Sequence, residues 1–412
     1  MFDLVEILNK SGSEGYPEGS LKAVLFYKSD VCRSLVLESF SFEGLGKPLM
    51  MENKDANIAT CVREQDVDLV LLELNNSRSV VEDAERISHI IPNHVSVVVI
   101  GNEDAISTIR RLKEMGFYYL FWPITKQDLI DFVKSVQDNR AKQKGLGQYR
   151  KAKRVAVLGS KGGVGCSLLC AELVNVLAQD NHTSAVLVDH NYHGGNLDIM
   201  LGRKDLRKRQ VQTGSLASQL DRNSALTLLE KIGERTRLLA LGANENDAQG
   251  EVQVFTDSVI ELVSSDVNFV VEDISASVSF DVSAQWLCQR SDIVVLLMEP
   301  SVSSLREAER LLTELEPYRS EMSQPTRLIL VLNHHRAHNA EQVTEKDMAE
   351  YLKREIDVVI PYEPRTGLWI LDGKRIAAQR TKVSAPIKQL AKKIVGQEKA
   401  TKKGLLGFLA KK

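Results

Sequence analysis

One stretch of the chain leaves few folds open: Val155 to Leu177, VAVLGSKGGVGCSLLCAELVNVL. A buried-type apolar run, Val155 to Leu158, leads into a loop bearing Gly159, Gly162, Gly163 and Gly165, and then into a pattern with Leu169, Leu173, Val176 and Leu177 on one helical face. This is strand, phosphate loop, helix. Glycines let backbone N–H groups turn inward round an anion, and the first helical turn adds further unpaired N–H groups and the positive end of its dipole. Ser167, at the start of that helix, is placed to offer its hydroxyl to Mg²⁺.

Gly159 to Ser167 read G-S-K-G-G-V-G-C-S, a stretch that ends as the phosphate-loop pattern G-x-x-x-x-G-K-[ST] does except at its lysine. Cys166 stands at the lysine position, and a different lysine, Lys161, precedes the Gly162-Gly163 pair. A charge-assisted hydrogen bond is worth about 1.5–3 kcal/mol, so its loss predicts nucleotide binding weakened on the order of tenfold to hundredfold. Phosphoryl transfer depends on charges facing the transition state and should suffer more. A thiol at a helix N-terminus is also expected to have a lowered pKa, which phosphate in the loop would oppose.

Downstream, strand candidates are AVLVD ending at Asp189, LLALGA near Leu239, NFVVED ending at Asp273, DIVVLLM from Asp292, LILVLN ending at Asn333 and DVVIP ending at Pro361. Between them, Ser304 to Glu316 carries a helical apolar face, and Thr344 with Asp347 forms a capping-box pattern. In an open parallel sheet the carboxyl ends of the strands face the ligand crevice, so Asp189, Asp273 and Asn333 are expected to gather round the loop.

The first third of the chain alternates differently. From Leu21 to about Asp138, short apolar runs (LKAVLFY, KPLMM, DLVLLEL, VSVVVI, YYLFWP) alternate with amphipathic segments, among them a helix expected around Asp83 to Ile91. Repeated β-α units predict a second doubly wound parallel sheet. The fold class is thus α/β with two such domains, at 21–138 and 155–398. A polar arm (1–20) precedes them, a linker (139–154) with seven basic residues and no acid joins them, and a basic amphipathic tail (399–412) follows. With 53 basic against 55 acidic residues no global field argues for nucleic acid, and the cluster Arg203 to Gln210 reads as a solvated loop or helix. Five cysteines without C-x-x-C spacing predict a reducing compartment. No charged start with an apolar core opens the chain and no 18 apolar residues run together, so the expectation is a cytoplasmic protein, at most peripheral to a membrane. His190 and His193 lack a third spaced ligand and are not expected to hold metal.

The 21–138 region resembles a response-regulator receiver domain in the order and length of its elements. A receiver's acidic pair falls here on Lys28, Ser29 and Asp30, its phosphoacceptor on Glu73, its hydroxyl position on Gly101, and its lysine on Trp122, before Pro123. Almost every position of the phosphorylation chemistry is replaced, which predicts a protein-interaction module rather than a phosphorylated switch. Lys161-Gly162-Gly163-Val164-Gly165-Cys166-Ser167 resembles the deviant Walker A loop, K-G-G-x-x-K-[ST], of the MinD/ParA ATPases. That resemblance implies ATP or ADP with Mg²⁺ as cofactors. It implies Ser167, Asp189 and Asp273 near Mg²⁺, Asn191 where attacking water is positioned, Asn333 where adenine is read, and Lys161 crossing a homodimer interface to the partner's nucleotide.

The pairing of the two domains resembles the TadZ/CpaE pilus-assembly proteins, which localise Flp/Tad (type IVb) pilus machinery to a cell pole. It implies a nucleotide-binding dimeric scaffold with weak hydrolysis or none, meeting pilus secretion machinery or polar factors at the inner membrane. Leu405, Leu406, Phe408 and Leu409 between lysine pairs would give the tail a peripheral membrane contact or a protein contact. The rival expectation is a turning-over MinD/ParA-like positioning ATPase.

Overall fold

The computed structural model describes residues 21–65, 67–143, 150–203, 206–210, 220–243, 250–275, 278, 280–322, 325–337 and 341–396. The expected arm (1–20) and tail (399–412) lie outside the described residues. The chain forms two compact units, divided between Arg150 and Lys151.

The first unit is a five-stranded parallel sheet: β1 (Ala23–Tyr27), β2 (Leu49–Glu52), β3 (Leu69–Glu73), β4 (Ser96–Gly101) and β5 (Tyr118–Phe121), in the order β2-β1-β3-β4-β5. This is the flavodoxin-like doubly wound order. Central strands such as β3, apolar up to its terminal Glu73, and VVVI of β4 are buried because helices cover both faces. Side chains alternate between those faces. Leu25, Leu71 and Val98 pack with Val36 and Phe40 of the helix Asp30–Glu43 and with Leu129 and Val133 of Lys126–Gln143. Phe26, Leu72 and Val99 pack on the other side with Ile58, Ala84 and Leu112. The helix expected around Asp83 to Ile91 runs Val80–Ser88, because Ser79 caps it by accepting from the Glu82 N–H. The helix Lys126–Gln143 continues beyond Asp138 into the basic segment. Arg150 packs on the first unit, its guanidinium donating to the carbonyls of Ser88, Ile91 and Pro92.

The second unit holds β6 (Lys153–Gly159), β7 (Ala185–Asp189), β8 (Arg209–Gln210), β9 (Glu230–Lys231), β10 (Thr236–Gly242), β11 (Phe269–Ile274), β12 (Ile293–Met298), β13 (Arg327–Asn333) and β14 (Val358–Ile360). Their order is β14-β13-β12-β6-β11-β7-β10-β8, parallel throughout, with β9 antiparallel on β10. β6 therefore sits in the middle, and the helix Cys166–Gln179 that follows it is covered twice. Its Leu173, Val174 and Leu177 share one core with β6 and β7 on one side and with Ile387, Leu390 and Ile394 of the helix Ser384–Ile394 on the other. Glu172, buried in that helix, accepts the N–H groups of Ile376 (3.0 Å) and Ala377 (2.8 Å), which ties the C-terminal segment to the helix. Thr344 and Asp347 close a reciprocal capping box on Glu345–Leu352. Among the described residues no helix is long and apolar enough to cross a membrane.

Candidate functional site

The loop between β6 and the helix Cys166–Gln179 is built round positions that admit no side chain. A Cβ on Gly159 would lie 2.7 Å from Val164 Cγ2, 2.8 Å from the Lys161 carbonyl oxygen and 3.0 Å from Cys166 Sγ. Gly163 and Gly165 have φ of 82° and 103°, in the region that glycine reaches without strain. Gly165 is the N-cap residue, so no side chain caps the helix and its first-turn N–H groups remain available to an anion. Asn333, at the end of β13, donates from Nδ2 to the Val164 carbonyl at 2.9 Å and so anchors the loop. Val164 itself is buried, as is Ser160, which shares a 2.7 Å hydrogen bond with Ser304.

Sheet register brings the carboxylates to this loop. Asp273 of β11 lies opposite Asp189 of β7 on one side and Val157 of β6 on the other. Both aspartates are buried, and the Ser167 hydroxyl hydrogen-bonds Asp273. Asp273 Oδ1 is buried with no hydrogen-bond partner. Burial, with the neighbouring Asp189, pushes the Asp273 carboxyl up to about 6 against the hydrogen bond from Ser167. An orphaned oxygen beside a hydroxyl and a second carboxylate suits a water or a hard cation. Mg²⁺ is held in this way, through one or two carboxylates plus phosphate oxygens and water, so the residues present fit the ion. Among the described residues there is no group of three or more His, Cys, Asp or Glu side chains that could hold a metal ion.

The other expected residues are nearby but engaged. Asn191 donates its backbone N–H to Asp189 Oδ1 at 2.9 Å, while its side-chain Oδ1 accepts from Gly194 at 3.2 Å, turning the amide onto its own loop. Lys161 Nζ lies 2.6 Å from Glu299 Oε1, and His335 lies 3.2 Å from Oε2 of the same carboxylate. Burial opposes ionisation of Glu299, but hydrogen bonds from Lys161 and Ser301 overcome it and hold the carboxyl below its usual value. Cys166 departs from expectation. Its thiol is buried, and burial, reinforced by Asp273, pushes its pKa up rather than down, so the helix terminus does not activate it.

Three groups escape sequence reasoning. Lys208, from the cluster read as solvated, turns inward to Asp189 Oδ2 at 2.6 Å. Glu299 shows no motif and is found only by its contact with Lys161. Glu272, adjacent to Asp273 on a fully buried strand, must point to the opposite face. There it meets Arg154 in a two-pronged pair (2.8 and 2.7 Å) and His190 Nε2 at 2.8 Å. His190 Nδ1 in turn lies 2.8 Å from the Tyr192 hydroxyl. Burial opposes ionisation of Glu272 and Arg154 outweighs it, keeping the carboxyl far below its usual range. Its signal in the sequence is the adjacent pair Glu272-Asp273 in an otherwise apolar run, one acid for each face.

In the first unit, the strand-end carboxylate is Glu73. It accepts the N–H groups of Lys28 (2.6 Å) and Ser29 (2.9 Å) from one oxygen's side and the Ser29 hydroxyl (2.6 Å) on the other. Ser29 is also the N-cap of the helix Asp30–Glu43, accepting from the Cys32 N–H. The anion position at that helix start is filled by the protein's own side chain. At Gly101, a Cβ would meet the Tyr119 hydroxyl at 2.8 Å, so this position cannot carry a hydroxyl residue without displacing Tyr119.

A glycine loop between the central parallel strand and its helix, flanked by a hydroxyl and two strand-end carboxylates, defines the second unit as a P-loop-type doubly wound α/β domain. No protein-family model matches the sequence, and no curated protein matches it. Solved structures resemble part of it. The ParA family ATPase from Chlorobium tepidum TLS is 23% identical, over 58% of this chain and 98% of that one, with a TM-score of 0.48. A chain of the MinC:MinD cell division protein complex from Aquifex aeolicus is 22% identical, over 61% and 98%, with a TM-score of 0.47. The septum site-determining protein MinD complexed with Mg-ADP, from Pyrococcus horikoshii OT3, is 16% identical, over 59% and 96%, with a TM-score of 0.47.

Proposed function

We propose that the protein is a nucleotide-binding dimeric scaffold that positions Flp/Tad pilus assembly machinery and hydrolyses ATP slowly or not at all. The observation that carries the nucleotide reading is the orphaned Asp273 oxygen, beside Ser167, at the foot of a glycine loop whose helix has no side-chain cap. Gly162, Gly163, Val164, Gly165, Cys166 and Ser167 would cradle the phosphates. Ser167, Asp189 and Asp273 would stand near Mg²⁺, which would neutralise phosphate charge when bound. Weak turnover follows from the chemistry of the side chains. Cys166 carries no charge toward the phosphates, and the amide of Asn191 can orient water but cannot take its proton.

The pilus assignment rests on the resemblance of the paired domains to TadZ/CpaE proteins. Support comes from a first unit in the receiver-like strand order whose acceptor position, Glu73, is consumed by internal hydrogen bonds. Such a unit is suited to binding polar factors or secretion machinery rather than to accepting a phosphoryl group.

The test is the full chain with Mg-ATP, phosphate release and light-scattering mass being read in the same samples. Binding, a doubled mass and negligible phosphate support the scaffold. Steady turnover would make a cycling MinD/ParA-like ATPase the better reading, and absence of binding would remove the nucleotide from the account.

A further inference from the structure

We propose that Lys208 supplies to a bound nucleotide the positive charge that the phosphate loop lacks at Cys166. The inference rests on the nucleotide-binding reading above. In the sequence Lys208 is one of several basic residues between Arg203 and Gln210, with nothing to mark it. In the structure its neighbours go elsewhere: Arg203 pairs with Glu230, and Arg209 donates to the Thr227 carbonyl at 2.6 Å. Lys208 alone of these three reaches Asp189. Its side chain is 18% exposed, and its ammonium lies 2.6 Å from Asp189 Oδ2 and also donates to the Asn191 carbonyl.

This position is built into the sheet. β8 begins at the next residue and pairs with the last residues of β10, Leu241 and Gly242. Gly242 is packed so closely that a Cβ there would stand 2.5 Å from Gln210 Nε2. The backbone at 208 is therefore fixed at the carboxyl edge of the sheet, the edge on which Asp189, Asp273 and the loop gather.

Two buried carboxyl groups and an uncharged thiol would by themselves make a poor site for a polyphosphate. Lys208 changes that balance, because its charge acts on both Asp189 and Asp273. Lys161, which lies in the loop itself, is paired with Glu299. A lysine is suited to a change of partner, being a compact charge on a four-carbon stem with three rotatable donors. With Mg²⁺ held near Asp189, Lys208 would be free to turn from that carboxylate to phosphate oxygens. The ion pair seen here is its resting arrangement.

The test is calorimetric titration of the full chain with Mg-ATP, accompanied by thermal melts without nucleotide. Lys208→Met is expected to weaken binding roughly tenfold to hundredfold, the worth of one charge-assisted hydrogen bond, and Lys208→Arg to stay within about threefold. Adding Cys166→Lys to Lys208→Met should return the affinity to the wild-type level, since the charge is regained at the loop itself. Lys208→Gln keeps a donor for the Asn191 carbonyl and should bind as weakly as Lys208→Met while melting closer to wild type. Wild-type affinity in Lys208→Met, or no recovery on adding Cys166→Lys, overturns the role of Lys208 and leaves the nucleotide reading standing. A wild-type chain that binds no Mg-ATP overturns both.

Discussion

Glu73 and Asp273 occupy comparable places in the two units, each near the carboxyl end of an inner strand of a doubly wound parallel sheet and each buried. Glu73 is closed: both its oxygens accept hydrogen bonds from Lys28 and Ser29 at the start of a helix. Asp273 is open: Ser167 satisfies it in part, and Oδ1 has no partner. The contrast shows that topology places a crevice but does not make a site. What makes one is whether the fold leaves a buried polar group and a helix start unfilled.

The largest break in this contrast comes from Glu73. Glu73→Ala strands two backbone N–H groups and a hydroxyl, each partly buried, and is expected to cost the first unit about 3 kcal/mol or more. Hydrogen exchange of the β1 and β3 amides should register the loss. Glu73→Gln keeps the volume and one acceptor and should lose less than half as much. Equal, negligible losses in both variants would mean that Glu73 does not close the crevice.

Asp273 should behave in the opposite sense, as a group that burdens the folded state when ionised. Without Mg²⁺ or nucleotide, the folded chain keeps the Asp273 proton up to about pH 6, whereas the unfolded chain loses it near 3.8. The folded state binds the extra proton between these values, so the contribution of Asp273 is full below 3.8 and is lost as pH rises through about 6. A shift of this size corresponds to about 3 kcal/mol. Urea unfolding of wild type and Asp273→Asn at pH 4.5 and 7 measures it. The wild type should lose stability relative to the variant on going to pH 7, and a constant difference would contradict a raised carboxyl.

Next in size is Cys166→Lys, which puts a charge where the thiol is buried and neutral. It should tighten Mg-ADP binding about tenfold, the worth of one charge-assisted hydrogen bond, by calorimetry. Unchanged affinity would mean that the loop does not meet phosphate at this residue. Smallest is Lys161→Ala, expected to weaken the dimer or nucleotide retention severalfold by light scattering and binding, on the order of 1 kcal/mol. Glu299→Gln, which loosens the pair holding Lys161, should act in the reverse direction. An unaltered dimer and unaltered affinity in Lys161→Ala would confine that lysine to its pair with Glu299.

The open site was more legible in the sequence than the closed one. Glycine spacing after an apolar run announces the loop, and strand ends predict that Asp189, Asp273 and Asn333 come together, because these signals are local or follow from sheet period and topology. What stays hidden depends on long-range partners. Lys208 resembles its basic neighbours until β8 pairs with β10 and aims it at Asp189. Glu299 and Glu272 matter through residues more than 100 positions away, Lys161 and Arg154. Glu73 shows the converse. Its departure from a receiver's acceptor is visible in one letter, but the three hydrogen bonds that occupy it come from residues 44 and 45 positions earlier. Likewise the Cys166 thiol could be read either way from the helix start alone, and burial decides it.

The most direct test is the stoichiometry of Mg-ATP bound to the full chain and to its Gly159→Ala variant. That change touches no charge and places a methyl group against Val164, the Lys161 carbonyl and Cys166 in the loop. One nucleotide per chain is expected in the wild type and severely weakened binding in the variant. Equal binding by both, or none by the wild type, would contradict the nucleotide reading.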